Sequence, residues 1–580
     1  MAKFLRVNMT DLTAKYEDVP EKYQMMGGRW LTSSLVADEV PPLAHPLGPN
    51  NKVVFATGIV TGTNAPTSAR VSVGGKSPLT GGIKESNAGT GWSQVVARLG
   101  IKAIIVEGQP KQAGKFWGLK VDKDGASFFP ADEYAGKGLY EVYPQVLARF
   151  GDKVDVMAIG QAGEFKMTMA GICFNDTKGR PTRYSGRGGL GAVLGSKGLK
   201  FIVVDGAGAP ASIPITNKAL FEQGRKKLTE AITAHDITKP KGGLNTYGTA
   251  VLVNILNEAG GFPTRNFSSG RFEDAANIAG EAIFEGNKQR TGKEIYNHAC
   301  SPGCIIQCSN TWHNADGSEM VSCQEYESVW ALGAQCGIGS LDVTGRLISL
   351  CNDIGVDTIE AGVTIGVAME GGLAKFGDGE AAIRAVEEIG KGTPLGRILG
   401  QGAAFTARAF GVSRVPVTKG QAMPAYEPRA VKGIGVTYAT TTMGADHTAG
   451  YTIAPEILGV SGKVDQFTTK KGELSRNFQS ATGLIDTTGH CLFIAFPILD
   501  IPSGFEGMLE ECAGVLGVST EEISAIGNKV LKTERAFNEA AGFTKADDRM
   551  PEFMKYEQLP PHNVVWDVSD EELDSVYGEL

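Results

Sequence analysis

The chain lacks several features that would assign it to a simple class. No apolar run approaches the roughly 18 residues of a membrane-spanning helix, which excludes a transmembrane segment. The N-terminal segment has no apolar core of the kind found in signal peptides, so we expect a cytoplasmic protein. Basic residues are not in excess: the net charge is −8, which argues against a nucleic-acid partner.

Cysteine is scarce, and glycine is abundant. Nine cysteines among 580 residues are too few for the disulfide framework of a small secreted protein. Hydrophobic residues make up 42% and charged residues 21%, which excludes disorder as the main state. The 77 glycines follow no Gly-x-y period, so collagen is excluded and many loops and tight turns are predicted.

Short apolar runs bounded by Gly, Pro and Asn predict strands in the first third of the chain. These runs are 52–57, 69–73, 103–107 and 201–204. Two stretches between them, 92–99 and 139–149, have the apolar spacing of helices. A Gly/Pro/Ala-rich segment at 206–214 predicts the end of this unit.

Helical patterns dominate after residue 217. The predicted helices are 218–234, 247–258, 340–354, 360–375, 380–389 and 519–541, and no internal repeat is visible. We therefore predict an α+β fold with a strand-rich N-terminal domain followed by two mostly helical domains. The predicted domains are residues 1–212, 213–418 and 419–580.

Three cysteines within nine residues indicate a metal site. Cys300, Cys304 and Cys308 have the spacing C-x3-C-x3-C, and the intervening Pro302-Gly303 pair favours a loop over a continuous helix. A fourth cysteine, Cys491, lies in the remote sequence DTTGHC. Three clustered thiolates with one remote thiolate are typical of a [4Fe–4S] cluster. Zinc and buried inert cysteines are the alternatives, although the paired C-x2-C motifs of structural zinc sites are absent.

Three glycine-rich segments have the composition of anion-binding loops. They are TGTNAPTSAR at 61–70, SNAGTG at 86–91 and GRGGLG at 186–191. Glycine lets backbone N–H groups approach a phosphate, and arginine adds two parallel donors. Each segment is equally typical of a plain turn. The Walker pattern and a complete dinucleotide fingerprint are absent, so nucleotide binding is not favoured.

Together these residues resemble the aldehyde:ferredoxin oxidoreductase family of tungsten or molybdenum bis-pterin enzymes. The matching motifs follow the family's order along nearly the whole chain, at 7–12, 76–81, 86–89, 188–197, 325–327 and 535–538. The resemblance implies oxidation of aldehydes to carboxylic acids at a tungsten (or molybdenum) bis-pterin centre. Electrons would pass through a [4Fe–4S] cluster to ferredoxin or a small iron–sulfur subunit, in an oligomer or hetero-complex.

The resemblance also implies roles for individual residues. The cluster ligands would be Cys300, Cys304, Cys308 and Cys491. The family's second D-x-x-G motif matches 486–491, and its first matches 352–357 with Asn352 in place of the aspartate. A Mg²⁺ ion would bridge the pterin phosphates near Asn87 and Gly188. The residues implied to contact the pterins are Arg70, Val71, Asn87, Ala88, Gly89, Thr90, Gly91, Arg187, Gly188, Asp353, Gly355, Val356, Asp357, Asp486, Gly489 and His490.

Two further residues resemble the family's catalytic groups, His447 in GADH and Glu327 in EYE. Aldehyde oxidation requires a positioned proton acceptor, which either side chain can supply. Glu325, two residues away, is the alternative carboxylate. Two other functions remain open: a reductive member of the family acting on an aromatic acyl thioester, and an electron-transfer iron–sulfur subunit without pterin.

Overall fold

The computed structural model describes residues 2–578 and begins with two six-stranded sheets. The first contains β1 (Lys3–Asn8), β2 (Thr13–Asp18), β3 (Val53–Thr57), β4 (Arg70–Lys76), β5 (Ile83–Gly89) and β6 (Ile101–Glu107). The second contains β7 (Trp117–Asp122), β8 (Gly125–Pro130), β9 (Asp155–Ala158), β10 (Ile172–Asn175), β11 (Pro181–Ser185) and β12 (Leu199–Val204). Two small hairpins follow, β13 (Thr311–His313) with β14 (Glu319–Ser322) and β15 (Val417–Thr418) with β16 (Gln421–Ala422).

The two large sheets repeat one topology. Their strand orders are β2-β1-β6-β3-β4-β5 and β8-β7-β12-β9-β10-β11, so each strand of the first sheet corresponds to the strand six positions later. The β1–β6 and β7–β12 pairs are parallel, and the other neighbouring pairs of these sheets are antiparallel. The sequence shows no internal repeat because the shared feature is the pairing pattern rather than residue identity.

Five helices accompany the two sheets. They are α1 (Gly28–Glu39), α2 (Gly91–Arg98), α3 (Leu139–Phe150), α4 (Gln161–Glu164) and α5 (Leu190–Ser196). Helix α2 carries the fully buried Trp92, whose ring centroid lies 5.6 Å from that of Phe55 in β3 and 5.6 Å from that of Phe174 in β10. This ring therefore packs against both sheets and joins them through one core.

The rest of the chain is mostly helical. Its helices are α6 (Lys218–Ala234), α7 (Gly243–Tyr247), α8 (Leu252–Glu258), α9 (Gly280–Thr291), α10 (Tyr326–Leu332), α11 (Leu341–Ile354), α12 (Thr358–Glu370), α13 (Gly379–Lys391), α14 (Pro394–Leu399), α15 (Ala403–Phe410), α16 (Lys432–Thr440), α17 (Gly472–Thr488), α18 (Ala495–Asp500), α19 (Pro502–Leu516), α20 (Thr520–Ser524), α21 (Ile526–Ala540) and α22 (Asp570–Ser575). The predicted α+β class with a strand-rich N-terminal part is confirmed. The boundaries at 212 and 418 stay predictions.

Helix α12 lies at the centre of the helical part. Its side chains from Ile359 to Met369 are all buried, as expected for a helix that is apolar on every side. It packs against α10, the helix that carries Glu327. No helix between residues 2 and 578 has the length and apolar character that crossing a membrane requires.

Candidate active site

A cavity of about 460 Å³ lies between the N-terminal sheets and the helical part. Its wall combines the ends of β4 and β5, strand β11, the start of α10, and residues of α17 and α18. The predicted cluster ligands and catalytic residues all line it: Cys300, Cys304, Cys308, Cys491, Glu327 and His447. Side chains separated by up to 191 residues of sequence thus share one space.

The three clustered cysteines lie on a loop, as the Pro302-Gly303 pair predicts. The backbones of His298 and Ser309 are paired where this loop begins and ends. The His298 N–H donates to the Ser309 carbonyl at 2.8 Å, and the Ser309 N–H donates to the His298 carbonyl at 3.1 Å. Gly303 has a φ of +77°, which glycine adopts without a steric cost. We call residues 299–308 the cysteine loop.

Thr67 connects the cysteine loop to the remote Cys491. Its N–H donates to the Gly303 carbonyl at 2.9 Å, and its own carbonyl accepts from the Cys491 N–H at 3.0 Å. Its hydroxyl accepts a bond of 3.4 Å from the Ile305 N–H. Segment 61–70, which its composition made a candidate anion-binding loop, thus holds the two cysteine-bearing segments together.

Positive charge lies beside the thiols. One Arg70 guanidinium nitrogen is 3.2 Å from Cys491 Sγ, and the other is 3.5 Å from the Asn87 carbonyl. The pKa of Cys300 is held well below its usual range, first by a hydrogen bond from Cys304 and then by Arg183 and Arg70. A lowered pKa favours the thiolate, the form that binds metal.

Arg183, which lies on β11, is not among the site residues predicted from the sequence. Its Nη2 is 2.7 Å from Ser309 Oγ and 2.5 Å from the sulfur of Cys323. Cys323 also lines the cavity, and burial raises the pKa of its thiol to about 11. The Arg183–Cys323 contact spans 140 residues of sequence, so no motif spacing could reveal it. The strand sequence PTRYS at 181–185 contains no local signal that distinguishes Arg183.

All nine cysteines are free thiols, and four of them line this cavity as the predicted cluster ligands. In the described part of the chain, no three His, Cys, Asp or Glu side chains converge on a single ion position. The thiols surround a shared space, with Arg70 and Arg183 beside them. This donor set fits an anionic iron–sulfur cluster, which thiolates ligate and nearby donors stabilise.

Glu327 and His447 form a buried pair. Glu327 Oε1 lies 3.3 Å from His447 Nε2, while Glu327 Oε2 accepts a 2.9 Å hydrogen bond from the Ala425 N–H. Burial raises the pKa of Glu327 to about 8 and lowers the pKa of His447 to about 4. At neutral pH the pair is therefore uncharged, with the proton on the carboxyl group and a neutral imidazole.

Glu325 has different neighbours from Glu327. Its Oε2 accepts a 2.6 Å hydrogen bond from the Thr249 hydroxyl, and burial raises its pKa. The pKa of Cys308 is raised chiefly by burial, and the negative charge of Glu325 raises it further. Both glutamates line the cavity, but Glu325 lies toward the thiols and Glu327 lies against His447.

Some of the implied pterin-binding residues reach the cavity wall. They are Arg70, Ala88, Gly89, Val356 and Asp357. A Cβ atom added to Gly89 would lie 3.0 Å from Cys300 Sγ, so glycine lets the cysteine loop approach β5. Three further residues of this set lie next to the wall without lining it. Val71 of β4 pairs with Ala88 of β5, Thr90 is the N-cap of α2, and Gly91 is the first residue of that helix.

Arg187 connects the third glycine-rich segment, 186–191, to the segment that carries His447. Its guanidinium donates to the carbonyls of Ala445 and Ala422 at 2.8 and 2.6 Å and lies 3.3 Å from Asp357. The neighbouring Gly188 carbonyl accepts a 2.7 Å bond from the Ser77 hydroxyl. Neither Arg187 nor Gly188 is among the residues that line the cavity.

Asp486 and Gly489 support the wall at the end of α17. Asp486 accepts from the Asn87 side chain at 3.2 Å and from Arg29 at 3.3 Å, and burial raises its pKa to about 6. Gly489 ends the helix with a φ of +93°, and its carbonyl accepts from the Arg70 N–H at 3.1 Å. Both residues thus act on the cavity through Asn87 and Arg70.

The structure does not bring Asp353, Gly355 or His490 to the cavity wall. Asp353 accepts from the Tyr140 N–H at 2.9 Å and so caps α3. Gly355 ends α11 with a φ of +84°. His490 is buried, with Nε2 at 3.0 Å from Glu511 Oε2. Asp353 and Gly355 thus lie at helix ends and His490 lies in a buried pair, and their implied contacts with the pterins stay predictions.

Two family models together match nearly the whole chain. The model for "Aldehyde ferredoxin oxidoreductase, N-terminal domain" matches residues 4–206, and the model for "domains 2 & 3" matches residues 223–579. The chain belongs to the aldehyde ferredoxin oxidoreductase family. It is therefore an enzyme of an oxidoreductase family, and the resemblance drawn from its motifs is confirmed.

Relatives of the aldehyde ferredoxin oxidoreductase family cover almost all of the chain. It is 35% identical to the tungsten-containing aldehyde ferredoxin oxidoreductase of Pyrococcus abyssi and 34% identical to that of Pyrococcus furiosus, over 96% of this chain and 92% of each relative. A Pyrococcus furiosus protein described as "Aliphatic sulfonate oxidoreductase, WOR-like subunit" is 24% identical, over 96% of this chain and 90% of that protein.

A solved structure shares the fold. The active-site complex BamBC of benzoyl coenzyme A reductase, in complex with 1,5-dienoyl-CoA, superposes with a TM-score of 0.80 at 19% identity. The match covers 99% of this chain and 93% of that chain. At this identity the likeness concerns the architecture alone.

Proposed function

We propose that this enzyme oxidises aldehydes to carboxylic acids at a tungsten (or molybdenum) bis-pterin centre. The observation that carries the proposal is a cavity lined both by the four predicted cluster cysteines and by the Glu327–His447 pair. Relatives that are 34–35% identical over nearly the whole chain are described as tungsten-containing aldehyde ferredoxin oxidoreductases.

We assign the cofactor sites to residues of this wall. Cys300, Cys304, Cys308 and Cys491 would hold a [4Fe–4S] cluster. The two pterins would lie along the loops that follow β5 and β11, with Mg²⁺ near the carbonyls of Asn87 and Gly188. When bound, the metal centre and cluster would supply the two-electron redox chemistry of aldehyde oxidation.

The proton chemistry belongs to the Glu327–His447 pair. His447 Nδ1 and Glu327 Oε1 both lack a hydrogen-bond partner among the described residues. At neutral pH the imidazole can accept a proton at Nδ1, and the carboxyl group can donate one from Oε1. Lys84 Nζ lies 2.9 Å from the Asp446 carboxylate and lowers the pKa of that group, so Asp446 stays charged beside His447. The negative charge of Asp446 stabilises the imidazolium form of His447 after a proton has been accepted.

We further propose that the electron acceptor is a ferredoxin or a small iron–sulfur subunit, bound where the cysteine loop reaches the surface. Pro302, Gly303 and Gln307 of this loop are exposed. Lys178 and Lys241 are exposed on either side of it. Lys178 follows Thr177, whose hydroxyl donates to the Ala299 carbonyl of the loop. The Asn245 side chain accepts from the Lys241 N–H and donates to the Gln307 carbonyl of the loop. Positive charge at this place suits an acidic carrier.

Anaerobic purification followed by metal, pterin and activity analysis tests the proposed function. We expect about four irons and one tungsten or molybdenum per chain, with viologen-linked oxidation of several aldehydes. Full metal content without aldehyde oxidation, together with turnover of an aromatic acyl thioester, would favour the reductive branch. Iron without pterin would favour an electron-transfer subunit, and zinc without iron would contradict the cluster.

A further inference from the structure

Arg183 faces the thiol end of the cavity with a charge that no carboxylate neutralises. It lies on β11, an edge strand of the second sheet, and its side chain lines the cavity. The arginines before and after it in this segment, Arg180 and Arg187, form ion pairs with Asp176 and Asp357. In the described part of the chain Arg183 has no such partner, because its hydrogen bonds go to a hydroxyl and a thiol. An unpaired cation away from water is unfavourable, so this position favours an anionic ligand.

One nitrogen of the Arg183 guanidinium is held in place and another is free. Nη2 donates to Ser309 Oγ at 2.7 Å and lies 2.5 Å from Cys323 Sγ. Ser309 directly follows the cysteine loop, Cys323 directly follows β14, and both residues are buried. Arg183 Nε is also buried, and it has no hydrogen-bond partner among the described residues. Because buried N–H groups are almost always bonded, this donor indicates an acceptor that occupies the cavity.

Arg183 acts on one predicted cluster ligand and on one further thiol. The pKa of Cys300 is lowered first by the hydrogen bond from Cys304 and then by the charge of Arg183. Burial acts to lower the pKa of Arg183, but the negative charges of Cys323 and Cys300 keep it above its usual range. Burial raises the pKa of Cys323, and among the nearby charges that of Arg183 changes it most. Arg183 therefore connects Cys323, which is not a predicted ligand, to the four cysteines that are.

We propose that Arg183 compensates the negative charge of the [4Fe–4S] cluster and raises its reduction potential, and that Cys323 positions the Arg183 guanidinium. The proposal rests on the cluster of the proposed function and not on its substrate. Adding one electron to a thiolate-ligated cluster adds one negative charge, and a fixed cation with a free donor stabilises that reduced form. The electron comes from aldehyde oxidation and leaves to the iron–sulfur carrier, and no bond or proton changes at Arg183.

The charge of Arg183 differs in two ways from charges at the surface. An arginine stays protonated throughout the pH range of a folded protein, so its effect on the potential does not change with pH. Its Nε is buried, and buried charges are screened little by salt. The exposed Lys178 and Lys241 are reached by solvent ions, so any influence of theirs on the cluster falls at high salt. We therefore expect a contribution from Arg183 that is constant across pH and ionic strength.

A potentiometric titration followed by EPR tests Arg183 in the anaerobically purified holoenzyme. Arg183→Gln removes the charge, and we expect the cluster potential to fall by about 59 mV or more, a tenfold shift of the one-electron equilibrium. The fall should be the same at low and at high salt. Arg149→Gln removes an exposed arginine of α3 and is the control, which should leave the potential unchanged. Equal potentials in Arg183→Gln and the wild type, at full iron content, would overturn the proposal.

Two further variants test how the guanidinium is held. Arg183→Lys keeps the charge but lacks the second donor of the fork, and Cys323→Ala removes the thiol beside Nη2. We expect each variant to keep its iron and to lower the potential less than Arg183→Gln does. If Arg183→Gln cannot hold its iron, these two variants decide the question, and wild-type potentials in both would overturn the proposal.

Iron and pterin analysis separates this proposal from the proposed function. A lowered potential in Arg183→Gln at full iron and pterin content would support it even if no aldehyde were oxidised, an outcome that would defeat only the proposed reaction. Loss of pterin with an unchanged cluster potential would assign the cation to the pterin and overturn the proposal. Wild-type protein that contains no iron–sulfur cluster would overturn both.

Discussion

At the scale of single residues, the uncharged Glu327–His447 pair sets the expected pH dependence. Below about pH 4 the imidazole is protonated and cannot accept a proton, and above about pH 8 the carboxyl group is ionised and cannot donate one. We expect kcat/KM for aldehyde oxidation to be bell-shaped between these limits. Steady-state kinetics with a viologen acceptor across pH would measure it.

Glu327→Gln and His447→Ala test the members of this pair. Each variant should keep its metals and lose about 10²–10⁴-fold in kcat, since a positioned acid or base contributes that much. The residual activity of Glu327→Gln should lack the alkaline limb, because glutamine does not ionise. Glu325→Gln is the matched control and should be milder. A severe Glu325 variant beside a mild Glu327 variant would reverse the assignment.

The fourth thiol can be tested apart from turnover. Cys491→Ala should lose or destabilise the cluster, because its sulfur lines the same cavity as the cysteine loop and lies 3.2 Å from Arg70. Cys512→Ala should keep it, since Cys512 is buried within α19 away from the cavity wall. Iron analysis and EPR spectra after reduction provide the readout. A full iron content and unchanged spectrum in Cys491→Ala would show that another group is the ligand.

At the scale of elements, three loops meet at Thr67. Thr67→Val removes the hydroxyl that accepts from the Ile305 N–H and leaves that partly buried donor unpaired, at a cost of about 0.5–1.5 kcal/mol. We expect faster iron loss to a chelator at unchanged thiol content. Thr233→Val, an exposed position of α6, is the control. The same rate of iron loss in both variants would contradict a role for Thr67 in holding the cysteine loop.

Periodic elements could be predicted from the sequence where local signals and tertiary packing agree. Helix α6 begins and ends at the residues that its apolar spacing predicts, Lys218–Ala234. Helix α11 begins one residue after the predicted start at 340, because Ser340 is its N-cap. The stretch predicted as one helix at 247–258 is broken, because Gly248 takes a φ of +66° before α8 begins. A turn at Ala525 likewise divides 519–541 into α20 and α21.

The candidate site was predictable only in part, since a motif names residues without giving their partners. The cysteine pattern indicated a metal site with Cys491 as a remote fourth thiol, and the resemblance added Glu327 and His447; all of these residues line the cavity. The same resemblance implied Asp353 and His490 as cofactor contacts, and these stay predictions. In the structure Asp353 accepts from the Tyr140 N–H of α3, and His490 Nδ1 lies 2.8 Å from the Thr488 hydroxyl. Such contacts depend on tertiary structure, which local sequence does not encode.

At the scale of the whole molecule, a buried charge network joins the first helix to the last third of the chain. Arg29 of α1 makes two bonds of 2.8 Å to Glu534 of α21 and lies 3.3 Å from Asp486 of α17. Glu534→Gln leaves this guanidinium undercompensated, and we expect a loss of about 3–5 kcal/mol in unfolding free energy. Denaturant unfolding would measure it. Asp38→Asn, which breaks the exposed pair with Lys22, should leave the midpoint nearly unchanged.

The proposed carrier surface gives a second prediction for the whole molecule. Lys178→Glu and Lys241→Glu should each raise the KM for oxidised ferredoxin about 10-fold at low salt, because charge at the rim of an interface steers association. Activity with viologen should stay the same. Lys226→Glu, on the exposed side of α6, is the control. Equal ferredoxin kinetics in all variants would place the carrier elsewhere.

The repeated topology of the two sheets bears on the order of events during synthesis. The first sheet closes when β6 pairs with β1, and the second when β12 pairs with β7, so both can be complete once residue 204 has left the ribosome. The cysteine loop emerges about one hundred residues later, and Cys491 later still. Domains generally fold as units in the order of their synthesis. The two N-terminal sheets can therefore be complete while part of the cavity wall has not yet been made, and the cavity can be enclosed only after the chain has been made past Cys491.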